Sequence, residues 1–235
     1  MSGRVNGVSA VASRDRKVTE ITTIIDTWDV QGGCLQELGI NWPSLDYSRN
    51  LTSWFRFDQR ETKTITAHNT HENIAIKQQV GVGQFACKEL SQYAKESEPD
   101  FRGLGRWCSW LIYAHPSHKT RIVSAYNLGP ATSDYLGTVY QQHLRYIQHH
   151  KLNTTPHRMF MVDFLAAVIN WRNAGEWLII MADMNEHVLT GKLARRLLSL
   201  GLQEATHTSW GSMEPNTHIN GSRLSTRYTT LASWK

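Results

Sequence analysis

The sequence predicts a single domain of the α/β or α+β class, in which helices pack on β-sheets. Several runs of β-branched and aromatic residues in the first half of the chain, separated by polar, glycine and proline residues, are typical of strands. Apolar residues at helical spacing dominate the second half, where residues 176–182 (EWLIIMA) form an apolar run typical of a buried central strand. Elements mixed in this way bury their apolar faces in layers around one core.

The first half predicts one helix followed by strands. Residues 16–28 place four apolar side chains on one stripe at steps of three and four residues, which indicates an amphipathic helix. Residues 30–37 indicate a short strand, which two glycines weaken. Further strands are predicted at 51–57, 73–82, 107–114 and 120–126.

The second half predicts helices on either side of the strand at 176–182. Thr155 followed by Pro156 indicates an N-cap and a proline at the first helical position, and Gly175 indicates the end of that helix. Because the helix between them is apolar on nearly all sides, we expect it to be mostly buried. Two more helices are predicted at 133–150 and 191–200.

The composition excludes several classes of protein. The chain has 235 residues, 40% of them hydrophobic, which excludes a disordered or collagen-like chain. No uncharged apolar run approaches the roughly 18 residues that a membrane-spanning helix needs. The 3 cysteines are far apart, which argues against a disulfide framework. The net charge of +5 suits a polyanionic partner without requiring one.

Polar side chains follow two of the predicted strands at the point where each strand ends. Glu37 closes the first, and Asp183 and Asn185 follow the second at a spacing that places them on one face of an extended chain. Ligands bind at the carboxyl ends of strands in open sheets, and Mg²⁺ needs only one or two protein carboxylates there. An aspartate beside the ion could orient or deprotonate a water molecule. An Asp-x-Asn sequence after a strand is often only a turn or helix cap.

The order and spacing of these motifs resemble the endonuclease/exonuclease/phosphatase superfamily, especially the apurinic-type endonuclease domains of non-LTR retrotransposons. Asp-Val at 29–30 leads to Leu-Gln-Glu at 35–37, residues 121–126 (RIVSAY) form an apolar strand ending in tyrosine, and residues 182–186 (ADMNE) are similar to the family's Gly-Asp-Phe-Asn. The resemblance covers residues 17–221. It implies a four-layered sandwich of two packed β-sheets flanked by helices.

The resemblance also implies roles for individual residues. Glu37 would be the ligand of Mg²⁺, or of Mn²⁺ in its place, and Tyr126 would contact the scissile phosphate. Asp183 would orient or activate the attacking water, and Asn185 would position the phosphate and that aspartate. The implied reaction is Mg²⁺-dependent phosphodiester hydrolysis. DNA is the expected partner and RNA a second one, with no membrane or protein partner implied. By analogy the location is intracellular and nuclear.

The two ends of the chain depart from the family pattern. Residues 1–16 are expected to be a degenerate N-terminal strand region, because Arg4 stands where the family has its metal-binding asparagine. Residues 17–221 would be the endonuclease-like domain. Residues 222–235 are expected to be a polar tail, since no aspartate follows Asp183 and the family's Ser-Asp-His segment is absent. The sequence therefore predicts a fold truncated at both ends and incomplete at the C-terminus.

The missing Asp and His leave three alternatives to an intact DNA nuclease. The first is a non-catalytic relic that binds nucleic acid, which the charge and the 9 tryptophans favour; Trp54 and Trp107, each close to an arginine, are expected to be exposed for base stacking. The second is a phosphoesterase that acts on a substrate other than DNA. The third is a remnant without biochemical function, which would lack cooperative unfolding.

Overall fold

The computed structural model describes residues 2–4, 16–40, 45–46, 50–54, 61–72, 81–129, 137–187, 189–205, 208 and 229–233. These residues form six helices and ten strands, and the strands belong to two sheets. None of the helices in these ranges combines the length and the hydropathy that crossing a bilayer demands. The strand predicted at 73–82 lies outside the described residues except for its last two positions.

The smaller sheet has four strands in the order β1-β2-β4-β3. These strands are β1 (Ser2–Arg4), β2 (Gly32–Gln36), β3 (Thr62–Ala67) and β4 (Val82–Cys87). β1 runs parallel to β2, with Arg4 opposite Gln36, and the other two pairs are antiparallel. Strand β1 lies inside the region 1–16, and the short strand predicted at 30–37 is confirmed as β2.

The larger sheet has six strands in the order β5-β6-β7-β8-β10-β9. They are β5 (Ala94–Pro99), β6 (Trp107–Ile112), β7 (Thr120–Tyr126), β8 (Trp177–Asp183), β9 (Leu202–Glu204) and β10 (Thr229–Ser233). Only β7 and β8 pair in parallel among these neighbours. The strands predicted at 107–114, 120–126 and 176–182 are confirmed as β6, β7 and β8. The two parallel strands bring their carboxyl ends to the same edge of the sheet.

Strand β10 differs from the polar tail predicted for residues 222–235. Residues 229–233 pair with β8 on one side and with β9 on the other, and Thr229 lies opposite Ala182. Strand pairing uses backbone N–H and C=O groups, and β-branched threonine favours the extended chain, so a polar segment can complete a sheet. The prediction failed because the stretch has no apolar period of its own.

Helices flank the two sheets. They are α1 (Arg16–Thr27), α2 (Leu51–Trp54), α3 (Lys88–Tyr93), α4 (Val139–His149), α5 (Pro156–Asn173) and α6 (Lys192–Ser199). Ile25 of α1 belongs to one buried cluster with Leu35 and Phe85 of the smaller sheet. Phe164 of α5 belongs to another cluster with Leu178 of the larger sheet. The predicted α/β sandwich, with two packed sheets flanked by helices, is confirmed.

Two buried glutamines join the sheets across the centre of the sandwich. Gln36 Nε2 donates to Ser124 Oγ at 3.2 Å and to the Met181 carbonyl at 3.1 Å. Gln84 Nε2 donates to two backbone carbonyls of the larger sheet at 3.0 and 3.1 Å. A buried amide without such partners would cost about 1–3 kcal/mol, so these bonds favour one alignment of the sheets.

The ends of α5 agree with the prediction, but its burial does not. Thr155 Oγ1 accepts from the backbone N–H of Arg158 at 3.3 Å, and Gly175 follows the helix at φ 76°. Val162 is 57% exposed and Ile169 40% exposed. The expectation that this helix is mostly buried was therefore wrong on one side. A helix that packs on a sheet buries one face only, and apolar residues on the other face remain in solvent.

The strand predicted at 51–57 begins as a helix instead. Residues Leu51–Trp54 form α2, and residues 55–57 lie outside the described part of the chain. Asn50 Oδ1 accepts from the backbone N–H of Ser53 at 3.0 Å. A short polar side chain that bonds an N–H three residues later starts a helical turn. This local bond favours a helical turn over a strand at residues 51–54.

Candidate active site

The carboxyl ends of β7 and β8 place two of the predicted site residues side by side. Tyr126 and Asp183 are register partners in the parallel pair, and the backbone N–H of Asn127 donates to the Asp183 carbonyl at 2.8 Å. Side chains of register partners in a sheet point to the same face. Tyr126 and Asp183 therefore share one face at one edge.

That face looks toward the smaller sheet. The hydroxyl of Ser124 contacts Gln36 across the gap between the sheets, and Tyr126 follows Ser124 by two residues, so its side chain has the same direction. Tyr126 packs against a cluster that includes Val82, the partner of Gln36 in the smaller sheet. Asp183, which is 1% exposed, lies on the same face. The gap between the two sheets thus ends in a tyrosine and a carboxylate.

The turn after β8 fixes the aspartate and the asparagine. The backbone N–H of Asn185 donates to Asp183 Oδ1 at 3.2 Å, and Asn185 Nδ2 donates to the Asn127 carbonyl at 2.6 Å. Asn185 has φ 49°, in the left-handed region that asparagine adopts more readily than most residues. The Asp-x-Asn motif is therefore a turn, as one alternative foresaw, and the turn sits at the end of the strand that carries the predicted site.

Asn127 is a residue of this site that the sequence analysis missed. Its side chain is fully buried, and its Nδ2 donates to the Met184 carbonyl at 2.8 Å. Its Oδ1 has no hydrogen-bond partner among the described residues. Asn127 directly follows Tyr126, so a polar residue just past an apolar strand was the available signal. Its amide joins the ends of β7 and β8, and one buried oxygen is left to accept a ligand.

Glu37 lies at the corresponding end of β2 in the smaller sheet. It is half-buried and has φ 55°, which turns the chain sharply after Gln36. The bond from Gln36 Nε2 to the Met181 carbonyl holds this end of β2 against β8, two residues before Asp183. The structure thus brings the predicted metal ligand to the same end of the sandwich as Tyr126, Asp183 and Asn185.

The oxygen atoms at this end suit a hard divalent cation. Among the residues that the structure describes, no group of three or more His, Cys, Asp or Glu side chains forms a metal cluster. Mg²⁺ keeps several of its water molecules and is commonly held by one or two carboxylates, so it does not need such a cluster. The carboxylate of Glu37, the carboxylate of Asp183 and the unbonded Oδ1 of Asn127 provide the kind of oxygen donors that this ion prefers.

A network of buried ion pairs around Arg106 holds the chain segment that is hydrogen-bonded to Tyr126. The Arg106 carbonyl accepts from the backbone N–H of Tyr126 at 2.8 Å. The Arg106 guanidinium is fully buried and bonds Asp100 at 2.6 and 2.7 Å and Asp163 of α5 at 2.8 Å. Arg102 bonds the same Asp163 at 2.6 and 3.0 Å. The network ties the segment before β6 to α5 and so fixes the chain beside Tyr126.

The same network overturns the predicted exposure of Trp107. Its side chain is fully buried and lies under the Arg106 guanidinium, 4.6 Å from the ring centroid. A tryptophan next to an arginine in sequence was expected to stack on bases, but the arginine is used for buried ion pairs. The side chain of Trp54 lies outside the described residues. Among described residues, Trp28 on the smaller sheet's side is an exposed tryptophan, at 77%.

Known proteins resemble this chain in structure. No protein-family model matches the sequence, and a comparison with curated proteins finds no match. The AP endonuclease LMAP from Leishmania major matches with a TM-score of 0.65 and 9% identity, covering 99% of this chain and 78% of that one. A variant of the 3' phosphatase NExo from Neisseria, bound to product DNA hairpin, matches with a TM-score of 0.62 and 11% identity, over 99% and 86%. The human Nocturnin catalytic domain with bound sulfate matches at 0.59 and 14%, over 96% and 78%.

The chain has the endonuclease/exonuclease/phosphatase fold. At identities of 9 to 14% the likeness concerns the fold and leaves the chemistry to be argued from the site. In this fold the candidate residues lie at the carboxyl ends of β2, β7 and β8. Strand ends of a rigid sandwich are suitable positions for groups that must be held in place.

Proposed function

We propose that the protein is a Mg²⁺-dependent hydrolase of phosphodiester bonds, with DNA as its substrate. The observation that carries the proposal is the joined pair of strand ends, where Tyr126, Asn127, Asp183 and Asn185 are held together by backbone and side-chain hydrogen bonds. The fold of known nucleases and phosphatases supports it. The retrotransposon-type resemblance and a nuclear location stay predictions from the sequence.

Each of these four residues at the two strand ends has a role that its position allows. Asp183 accepts one backbone N–H through Oδ1, and its carboxylate would orient and deprotonate the attacking water. The Tyr126 hydroxyl would donate a hydrogen bond to a phosphate oxygen, whose negative charge grows during attack. Asn185 and Asn127 act mainly as positioning residues, because their amides already hold the two strand ends together.

The residues fit the metal that the resemblance implies. Glu37 would hold Mg²⁺, with the Asn127 Oδ1 and Asp183 as further oxygen donors. When bound, the ion polarises a phosphoryl oxygen and offsets the charge of the reacting group. Glu37 itself is anchored through Gln36, whose side chain bonds Ser124 and the Met181 carbonyl.

The test is nicking of supercoiled plasmid DNA by the purified chain in Mg²⁺, with EDTA as a control. Asp183→Asn keeps the shape of the side chain and removes its basicity, so we expect nicking to fall by about 10²-fold or more. Asp26→Asn is the matched control, because Asp26 is exposed on α1, away from the strand ends.

Two results would refute the proposed function. One is nicking that is unchanged in Asp183→Asn or in EDTA. The other is the absence of nicking, and of hydrolysis of bis(p-nitrophenyl) phosphate, by protein that unfolds cooperatively. The second result would favour the relic that binds nucleic acid without cleaving it. Hydrolysis of the small diester without plasmid nicking would favour a phosphoesterase with another substrate.

A further inference from the structure

Helix α6 presents a basic face to solvent. Lys192, Arg195 and Arg196 are exposed and lie on one side of the helix at three- and four-residue spacing, and we call these three residues the α6 basic face. The opposite side is buried through Leu193, Ala194 and Leu197. Because that apolar side is fixed in the core, the basic side must point outward.

The positive charge of this face is not compensated by carboxylates in the part of the chain that the structure describes. Among the described residues, no carboxylate forms an ion pair with Lys192, Arg195 or Arg196, and α6 itself contains no acidic residue. The three side chains line a surface hollow of about 380 Å³ together with Met161 of α5 and Ser199. The hollow therefore has cationic walls and an apolar contribution from one methionine.

The α6 basic face is rigidly connected to the candidate active site. Glu186, which follows Asn185, accepts from the backbone N–H of Ala194 at 2.8 Å. The backbone N–H of Gly191 donates to the His187 carbonyl at 2.8 Å. A Cβ at Gly191 would overlap the Glu186 side chain, so the turn and the helix are closely packed. The turn that follows Asp183 is therefore fixed against the first turn of α6, and Leu193 and Leu197 place the helix in the buried cluster on the outer face of the larger sheet.

We propose that the α6 basic face binds the sugar–phosphate backbone of the nucleic acid whose phosphodiester lies at the candidate active site. The α6 basic face from Lys192 to Arg196 spans about 6 Å at 1.5 Å per residue, a length over which one DNA strand carries about two phosphates at 3.4 Å each. Arginine pairs with phosphate through two parallel hydrogen bonds, and contacts of this kind position the polymer without reading its sequence. The inference rests on the proposed phosphodiesterase function and adds the surface that holds the polymer.

The test is binding of a fluorescein-labelled 20-base-pair DNA duplex in EDTA, followed by anisotropy across a series of salt concentrations. Arg195→Gln/Arg196→Gln removes two charges from the α6 basic face. Lys95→Gln/Lys119→Gln removes two exposed charges at the opposite end of the larger sheet, near the start of β5 and of β7. Both variants therefore lower the net charge by the same amount but remove it from opposite parts of the larger sheet's surroundings.

We expect the arginine variant to bind less tightly and to depend less on salt. Losing two phosphate contacts should reduce the slope of log affinity against log salt by about 1.8, so that the affinity advantage of the wild type falls about tenfold between 50 and 200 mM salt. The lysine variant should keep the wild-type slope. Labelled single-stranded DNA and RNA, measured in the same way, show which form of the backbone the face prefers.

Equal slopes for the two double variants would overturn the inference. A second result would also overturn it: the arginine variant keeps its affinity for DNA but no longer binds phosphatidylserine vesicles. The face would then hold lipid headgroups. The result is separable from the proposed function, because binding in EDTA needs no hydrolysis. Wild-type protein that binds DNA through α6 but fails to hydrolyse bis(p-nitrophenyl) phosphate would refute the hydrolase and leave the binding surface standing.

Discussion

Replacing Arg106 by methionine is expected to lower the free energy of unfolding by about 3 kcal/mol. The Arg106 side chain is fully buried, and its partner Asp100 is 1% exposed, so the change leaves a buried carboxylate without its cation. Breaking such a pair from one side costs about 3–5 kcal/mol. The backbone N–H of Arg102 still donates to Asp100 at 3.0 Å, which places the expected loss near the lower limit.

Arg102 provides the comparison. Its guanidinium bonds Asp163 at similar distances, but its side chain is 28% exposed, and Asp163 keeps a second partner in Arg106. Solvent-exposed ion pairs are worth about 0–1 kcal/mol, so Arg102→Met should cost about 1 kcal/mol. Urea unfolding followed by tryptophan fluorescence measures both, since Trp107 lies directly beneath the Arg106 guanidinium. The 3 kcal/mol loss corresponds to a fall in Tm of about 6–12 °C.

A double variant tests whether the cost comes from the uncompensated charge. Asp100→Asn keeps an acceptor for the backbone N–H groups and removes the negative charge, so Arg106→Met/Asp100→Asn should be more stable than Arg106→Met alone. Equal losses for Arg106→Met and Arg102→Met would refute the reasoning. No recovery in the double variant would show that packing on Trp107, and not buried charge, is what the arginine supplies.

Three more outcomes follow from buried groups and close contacts. Burial, with Arg106 nearby, lowers the pKa of His143 to about 3, so the imidazole of the unfolded chain is protonated at a higher pH than that of the folded chain. The free energy of unfolding should therefore fall by about 1.4 kcal/mol per pH unit as the pH drops from about 6.5 toward 3. Urea titrations measure this dependence, and His143→Gln should flatten it. Gly191→Ala should cost about 1 kcal/mol by thermal melting, because the new Cβ displaces the Glu186 side chain from its hydrogen bond to Ala194, whereas Gly129→Ala, with 3.9 Å to its nearest neighbour, should be neutral. Burial raises the pKa of the Cys34 thiol to about 12, and all three cysteines are buried, so DTNB should react far more slowly with native protein than in urea.

The sequence predicted correctly those helices and strands that are determined by interactions between neighbouring residues. The Thr155–Pro156 pair marks the start of α5 because the cap bond spans three residues, and the apolar run at 120–126 coincides with β7. Strand β4 was missed because what makes it a strand is remote. Gln84 and Gly83 of β4 carry no apolar pattern, yet Gln84 is buried by bonding carbonyls of the larger sheet. Such a partner cannot be read from nearby residues.

The candidate site was predictable in its parts but not in its assembly. The residue order located Tyr126, Asp183 and Asn185 at strand ends, and the resemblance implied their roles. The pairing of Tyr126 with Asp183 depends on the register of two strands separated by two helices, which no spacing rule fixes. Asn127 was missed for the same reason, since its side-chain amide joins the two strand ends only because folding brings the Met184 carbonyl beside it.

Only the folded structure shows which positive side chains are paired with carboxylates and which are not. Arg102, Arg106, Arg121 and Arg145 all bond carboxylates, so their charges are compensated within the fold. The α6 basic face keeps three cations without such partners among the described residues, one turn beyond the strand end that carries Asp183. A count of +5 cannot distinguish these two groups of residues. Because a polyanion is attracted by charge that the fold leaves uncompensated, the α6 basic face contributes to this attraction and the four paired arginines contribute little.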